Sequence, residues 1–108
     1  MITAQQILDN REKWAEALES DKYQQCQQVM RNPAGYCCLG VAAVVIGLSP
    51  HSVERPDKDH LNSLIYDRVD EAMGLTHYER AKFASANDND GKSFKEIAKM
   101  VRHLFPPS

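Results

Sequence analysis

Three copies of one helix-start pattern constrain this chain more than any other feature. A Ser or Thr followed three residues later by Glu or Gln stands at residues 3–6 (TAQQ), 76–79 (THYE) and 93–96 (SFKE). In such a capping box the hydroxyl accepts the backbone N–H of the fourth residue, and that residue's side chain accepts the backbone N–H of the first. Apolar residues at helical spacing follow each box. The sequence therefore predicts that helices begin at all three boxes.

Apolar spacing extends this to about five helices. The predicted helices cover residues 4–19, 39–46, 61–73, 76–84 and 93–105. Trp14 is the expected buried anchor of the first helix, and Gly47 and Gly74 stand where helices commonly end. The polar run at residues 87–91 should break the fourth helix. Phe105 is expected on the buried face of the last helix.

Residues 22–31 (KYQQCQQVMR) fit a helix and a strand about equally well. The turn signal at residues 32–35 (NPAG) favours a short hairpin that pairs 23–31 with 36–38. Residues 49–59 are polar, contain two prolines and read as a loop. The predicted fold class is mainly α, with α+β left open.

The length of 108 residues fits one compact domain, residues 1–108, with a small two-stranded hairpin around residues 23–38. The net charge of −2 predicts no bulk attraction to nucleic acid or anionic lipid. The apolar stretch at residues 39–48 is too short to span a bilayer, and the N-terminus lacks a signal-peptide pattern. Three cysteines, two of them adjacent, favour free thiols in a reducing compartment. We expect a cytoplasmic protein that does not contact a membrane.

Two segments resemble a known family. They are residues 36–41 (YCCLGV) and residues 87–98 (NDNDGKSFKEIA), with further similarity between Trp14 and Val101 in the same order. This arrangement is similar to a family of small uncharacterised proteins of bacteriophages and prophages. The family often continues the first segment with Cys and an acidic residue, where this chain has Ala43 and Val44. The resemblance implies a phage or prophage origin in a bacterial host and no established activity.

Cys37 and Cys38 are the candidate catalytic residues, because a thiol at a helix N-terminus has a lowered pKa. A Cys-dependent hydrolase or transferase also needs a histidine base and a polar residue to orient it. The histidines are His51, His60, His77 and His103, of which His77 is the candidate, and Asn87 or Asp88 could orient one of them. The alternative is that both cysteines are small core residues beside Gly40.

Metal-binding patterns are weak in this sequence. A zinc site would need Cys26 together with Cys37 and Cys38, but side chains of adjacent cysteines diverge. A calcium loop with Gly91 at its sixth position would place Ala86 and Ile97 at ligand positions. We therefore predict no metal site and no cofactor.

Two surfaces are candidates for binding. A basic stripe at residues 92–102 includes Lys95 and Lys99 and could bind nucleic acid weakly, although the net charge makes this the less favoured function. A glutamine-rich segment with Tyr23, Gln25 and Gln27 could pair with a partner or with a second copy of the chain. The leading hypothesis is a phage-encoded accessory protein that binds a host or phage protein.

Overall fold

The computed structural model describes residues 2–52 and 62–106. Its elements, in chain order, are α1 (Ala4–Glu19), β1 (Arg31–Asn32), β2 (Gly35–Tyr36), α2 (Cys38–Val45), α3 (Ser63–Met73), α4 (His77–Asp88) and α5 (Phe94–Arg102). Five helices and one small hairpin in the described ranges, with a radius of gyration of 12.6 Å, confirm the predicted mainly α fold. In these ranges no helix is long and apolar enough to cross a membrane. Residues 53–61 lie outside the described part of the chain. They include most of the predicted loop, His60 and the predicted start of the third helix at Leu61.

All three predicted capping boxes form. Thr3 Oγ accepts the Gln6 N–H at 3.1 Å, and Gln6 Oε1 accepts the Thr3 N–H at 2.8 Å. The boxes that begin α4 and α5 make the same reciprocal pair of bonds. A capping box uses only residues three apart, so it depends little on the rest of the fold. This local character explains why these helix starts could be predicted.

Two helix ends differ from the prediction. Helix α4 continues past Ala84 to Asp88, because the side chain of Asn87 bonds to other elements instead of breaking the helix. Helix α5 ends at Arg102, earlier than the predicted residue 105. The expectation that Phe105 faces the core is wrong, since its side chain lies beyond the helix and is 84% exposed.

The predicted hairpin forms with strands of two residues each. Arg31 pairs with Tyr36 and Asn32 with Gly35 in an antiparallel register. Before the hairpin, only Gln25 makes an isolated parallel bridge to Tyr36, and Gln28 has a φ of 75°. A left-handed residue at this point ends any strand periodicity. The strand pairing therefore covers less of residues 23–31 than the sequence indicated.

Helix α2 lies at the centre of the core. Its residues from Cys38 to Ala43 are all buried. The surrounding helices contribute the buried side chains Trp14, Leu18, Val69, Met73, Phe83, Ile97 and Val101. Trp14 is fully buried as predicted; its indole N–H donates to the Cys38 carbonyl at 2.9 Å, and its ring centre lies 5.0 Å from that of Phe83. The indole therefore fixes α1 against the first turn of α2.

Gly40 allows the close contact between α2 and the hairpin. A Cβ atom at this position would overlap the Met30 carbonyl oxygen, which is backbone and cannot move aside alone. The Met30 carbonyl in turn accepts the Cys37 N–H at 3.0 Å. The glycine of the CCLGV segment is therefore required by packing.

Gly40→Ala tests this contact, because helix propensity and backbone overlap predict opposite changes in stability. Helix propensity alone would make alanine more favourable by about 1 kcal/mol. We expect instead a loss of about 2–3 kcal/mol in the free energy of unfolding, because the added methyl overlaps backbone. Urea unfolding followed by circular dichroism measures the change.

Gly91→Ala is the matched control for this substitution. Gly91 has a φ of 66° and open space around it, so only a backbone cost of about 1 kcal/mol is expected there. An equal or smaller loss for Gly40→Ala would contradict the packing argument.

Candidate functional site

The two segments that carry the family resemblance meet at the side chain of Asn87, which is fully buried. Its Oδ1 accepts the Cys38 N–H at 3.2 Å and a Gln25 side-chain N–H at 2.9 Å. Its Nδ2 donates to the Cys26 carbonyl and to Asp88 Oδ1, both at 2.8 Å. Cys37 is the N-cap of α2 but makes no side-chain capping bond. Asn87 therefore caps the start of α2 from a distant helix.

Cys37 and Cys38 lie at the start of α2, as predicted, but they are 5% and 0% exposed. Burial raises the pKa of the Cys37 thiol to about 12 and that of Cys38 well above its ordinary value. The backbone N–H groups of Leu39 and Gly40 favour the Cys37 thiolate, but desolvation outweighs them. The expectation of a lowered thiol pKa is wrong for both residues. The Cys38 Sγ lies 3.4 Å from the Phe83 carbonyl, to which the neutral thiol donates.

The histidines of the described ranges lie elsewhere. His77 begins α4 on the surface, with Nε2 at 3.6 Å from Asp70 Oδ2. His103 Nδ1 lies 2.6 Å from the Lys99 carbonyl oxygen, and the backbone N–H of His51 donates to Asn62 Oδ1 at 2.8 Å. Among the described residues, no histidine hydrogen-bonds to Cys37 or Cys38. The structure does not bring a Cys–His pair together.

The glutamines of the glutamine-rich segment are exposed, but their side chains make hydrogen bonds within the molecule. The Gln25 amide donates to Asn87 Oδ1 and to the Lys92 carbonyl, and the Gln27 amide donates to the Asn87 carbonyl at 3.2 Å. Tyr23 is half-buried and packs edge-on against Tyr36 with 5.5 Å between ring centres. The bonds of Gln25 and Gln27 hold this part of the segment against the end of α4, and Tyr23 packs against the hairpin.

The predicted basic stripe is partly neutralised by carboxylates of α1. Lys95 and Lys99 are exposed, but Arg102 donates to Glu19 at 2.6 Å and to Glu12 at 3.2 Å. The hydrogen bonds that Arg102 donates to these two carboxylates raise its pKa above the ordinary value. The bond to Arg102 and the nearby lysines lower the pKa of Glu19. The stripe therefore presents less free positive charge than its sequence indicates.

An apolar groove with a volume of about 550 Å³ lies between α4 and the end of α5. We call it the α4/α5 groove. Its lining residues are Thr76, Tyr78, Glu79, Lys82, Phe83, Met100, His103, Leu104 and Phe105. Two of its aromatic side chains are strongly exposed, Tyr78 at 73% and Phe105 at 84%. This surface could not be predicted from the sequence, because Phe105 fits the apolar stripe of the last helix.

The backbone of Phe105 is held in place although its ring is exposed. The buried guanidinium of Arg11 donates to the Phe105 carbonyl at 2.8 Å. The same group donates to the carbonyls of Met73 at 2.7 Å and Gly74 at 3.0 Å, at the end of α3. Desolvation by burial lowers the pKa of Arg11, yet three carbonyls satisfy its charge. The Phe105 ring is therefore presented from an anchored chain segment.

Asp70 is a second candidate residue that the sequence did not predict. It is 9% exposed, and burial raises the pKa of its carboxyl while Arg80 and His77 favour the charged form. Asp67 lies one turn earlier on the same helix and is exposed. The spacing of two aspartates three residues apart, followed closely by a histidine, was the available sequence signal.

Comparison with known proteins gives one partial match. The model of a family described as a domain of unknown function, DUF8296, matches residues 5–46, which is less than half of the chain. The match spans nearly all of α1, the hairpin and α2. No curated protein and no solved structure matches the chain. The similarity carries no activity, substrate or partner.

Asn87→Ala tests the role of the buried amide. The substitution removes the acceptor of the Cys38 N–H and the donor to the Cys26 carbonyl inside the core. We expect a loss of about 2–4 kcal/mol in the free energy of unfolding. Asn89→Ala is the control, because Asn89 is exposed and its amide only reaches Ser85 Oγ at 3.5 Å. Similar urea midpoints for the two variants would contradict the assignment.

The raised thiol pKa predicts a loss of stability at alkaline pH. The pKa of Cys37 is about 12 in the folded protein and 9.0 ordinarily. The stability that the buried neutral thiol contributes is therefore fully present below pH 9.0 and is lost as the pH rises toward 12. Between about pH 8 and about pH 10, we expect the wild type to lose about 1.4 kcal/mol more than Cys37→Ala. Urea unfolding under reducing conditions measures this difference. Identical pH dependence in the two proteins would show that the thiol is not desolvated.

Proposed function

We propose that this protein is a phage- or prophage-encoded accessory protein that acts by binding a protein of the bacterial host or of the phage. The α4/α5 groove supports this proposal, since it places the exposed rings of Tyr78 and Phe105 beside an apolar concavity. Aromatic residues are enriched at the centres of protein interfaces and often dominate their binding energy. Because the backbone of Phe105 is already held in place, less conformational entropy is lost when a partner binds.

The charges around the groove favour an acidic partner. The Lys82 ammonium lies 5.7 Å from the centre of the Tyr78 ring and is exposed. The Glu79 carboxylate already accepts the Thr76 N–H at 2.9 Å as part of the capping box. Glu79 keeps its negative charge in this bond but is half-buried against the first turn of α4, whereas Lys82 is an exposed charge at the rim. We infer that the occupant is an amphipathic helix of the partner, with an apolar side chain in the groove and a carboxylate facing Lys82.

The phage or prophage origin rests on the resemblance of residues 36–41 and 87–98 to proteins of that source. Small phage proteins without a catalytic motif commonly act through partners, so fold and size agree with a binding role by analogy. The similarity of residues 5–46 to a domain of unknown function adds no activity.

The two alternative functions have less support. A Cys-dependent hydrolase or transferase would need an accessible thiolate, but Cys37 and Cys38 are buried and their pKa values are raised. A nucleic-acid binder would need free positive charge along residues 92–102, where Arg102 is paired with two carboxylates.

The test begins with affinity capture from host lysate and continues with the captured partner in purified form. We expect Phe105→Ala to weaken binding at least tenfold in calorimetry, because an exposed aromatic anchor is removed. Unfolding stability should change by less than about 0.5 kcal/mol, since the ring is outside the core. Leu64→Ala is the control, because Leu64 is also apolar and 75% exposed but lies on α3.

A second arm tests the charge of the partner. Lys82→Glu should weaken binding more than Lys82→Ala does, and the difference should shrink at high salt. Equal effects of Phe105→Ala and Leu64→Ala would refute the groove as the binding site. Dimerisation of the protein that is abolished by Phe105→Ala would assign the groove to a second copy and would also overturn the proposal.

A further inference from the structure

Three side chains with metal-ligating atoms meet where α3 ends and α4 begins. Asp67 and Asp70 lie one turn apart on α3, and His77 is the first residue of α4. One ligand atom from each side chain lies within 4.8 Å of the other two. The turn between the helices, with Gly74 at a φ of 63°, brings the imidazole back toward the carboxylates.

Asp70 is the unusual member of this cluster. Its side chain is 10% exposed, and in the described part of the chain neither carboxylate oxygen accepts a hydrogen bond. Oδ1 lies 3.6 Å from Arg80 Nε, and Oδ2 lies 3.6 Å from His77 Nε2. Charge-assisted hydrogen bonds are shorter, about 2.7–2.9 Å. A buried carboxylate is normally satisfied by closer partners than these.

The position of Asp70 in its helix adds to this deficit. It stands near the C-terminal end of α3, where the helix dipole is negative, and α3 has no basic residue in its last turn. Arg80 is the nearby cation, but its guanidinium also lies over the Tyr66 ring, 5.1 Å from the ring centre. The side of Asp70 that faces His77 and Asp67 therefore favours a further positive charge.

We propose that Asp67, Asp70 and His77 bind a divalent transition-metal ion such as Zn²⁺, Co²⁺ or Mn²⁺. Ligands that share one ion at bonds of about 2.1 Å lie roughly 3.0–3.5 Å apart. The 3.6 Å between His77 Nε2 and Asp70 Oδ2 needs little adjustment. Asp67 and His77 are exposed, so their side chains can move the remaining distance. Solvent completes the coordination on the open side.

The donor set selects the class of metal. An imidazole combined with two carboxylates suits transition metals, whereas Ca²⁺ prefers six to eight oxygen ligands. The site shares no residue with the α4/α5 groove and does not depend on the proposed binding function. It also differs from the metal patterns weighed in the sequence, which used the cysteines and residues 86–97.

Calorimetric titration of the untagged protein with Zn²⁺ and with Co²⁺ tests the proposal. We expect one ion per chain, with affinity reduced at least tenfold by His77→Gln and by Asp67→Asn, since each removes a ligand. Both residues are exposed, so these variants should fold normally, as circular dichroism will check. His103→Gln is the control, because it removes another exposed imidazole.

Arg80→Gln provides a readout that a purely structural cluster would not give. If the cluster binds a metal ion, removing the competing cation Arg80 should tighten metal binding several-fold. If the cluster is only structural, the substitution removes the ion pair with Asp70 and weakens that contact alone. Mn²⁺ should broaden the NMR signals of the His77 ring at lower concentration than those of His103. Equal effects of His77→Gln and His103→Gln, or no saturable binding, would overturn the proposal.

Discussion

The side chain of Asn87 joins parts of the chain that are far apart in sequence. Its oxygen accepts two hydrogen bonds and its nitrogen donates two, which uses the full capacity of a side-chain amide. An aspartate could not donate to the Cys26 carbonyl, and an apolar residue could not cap the N–H of Cys38. The start of α2, the segment before the hairpin and the end of α4 all depend on this one group. The last turn of α4 is helical because the amide bonds outward, to other elements.

The same packing explains the properties of the CCLGV segment. Asn87 caps the start of α2, Trp14 bonds to the Cys38 carbonyl, and Gly40 lets the hairpin approach. Together these contacts exclude water from both thiols, and the desolvation outweighs the favourable field of a helix N-terminus. A short eight-residue helix offers little field to oppose full burial. The pattern that suggests a nucleophile in the sequence is therefore a packing motif in the fold.

Features that depend on residues close together in the sequence could be predicted, and those that depend on distant residues could not. The capping boxes and the Gly74 helix end depend on residues within one turn of each other, and the sequence showed them. Asn87 could not be assigned, because its partners Gln25 and Cys38 lie 62 and 49 positions away. Phe105 fits a helical stripe, but α5 ends before reaching it. The Asp70 cluster depends on the angle of the α3–α4 turn, which sequence spacing does not give.

Arg11 stabilises the backbone beneath both proposed sites, the α4/α5 groove and the metal-binding cluster. Its guanidinium binds the carbonyls of Met73 and Gly74, and so holds the turn that places His77 beside Asp70. Its third bond holds the Phe105 carbonyl and thereby one side of the α4/α5 groove. The cation also complements the negative end of the α3 dipole. Arg11 lies on α1, within residues 5–46 that match the domain of unknown function, so this part of the chain supports surfaces whose residues all lie outside that match.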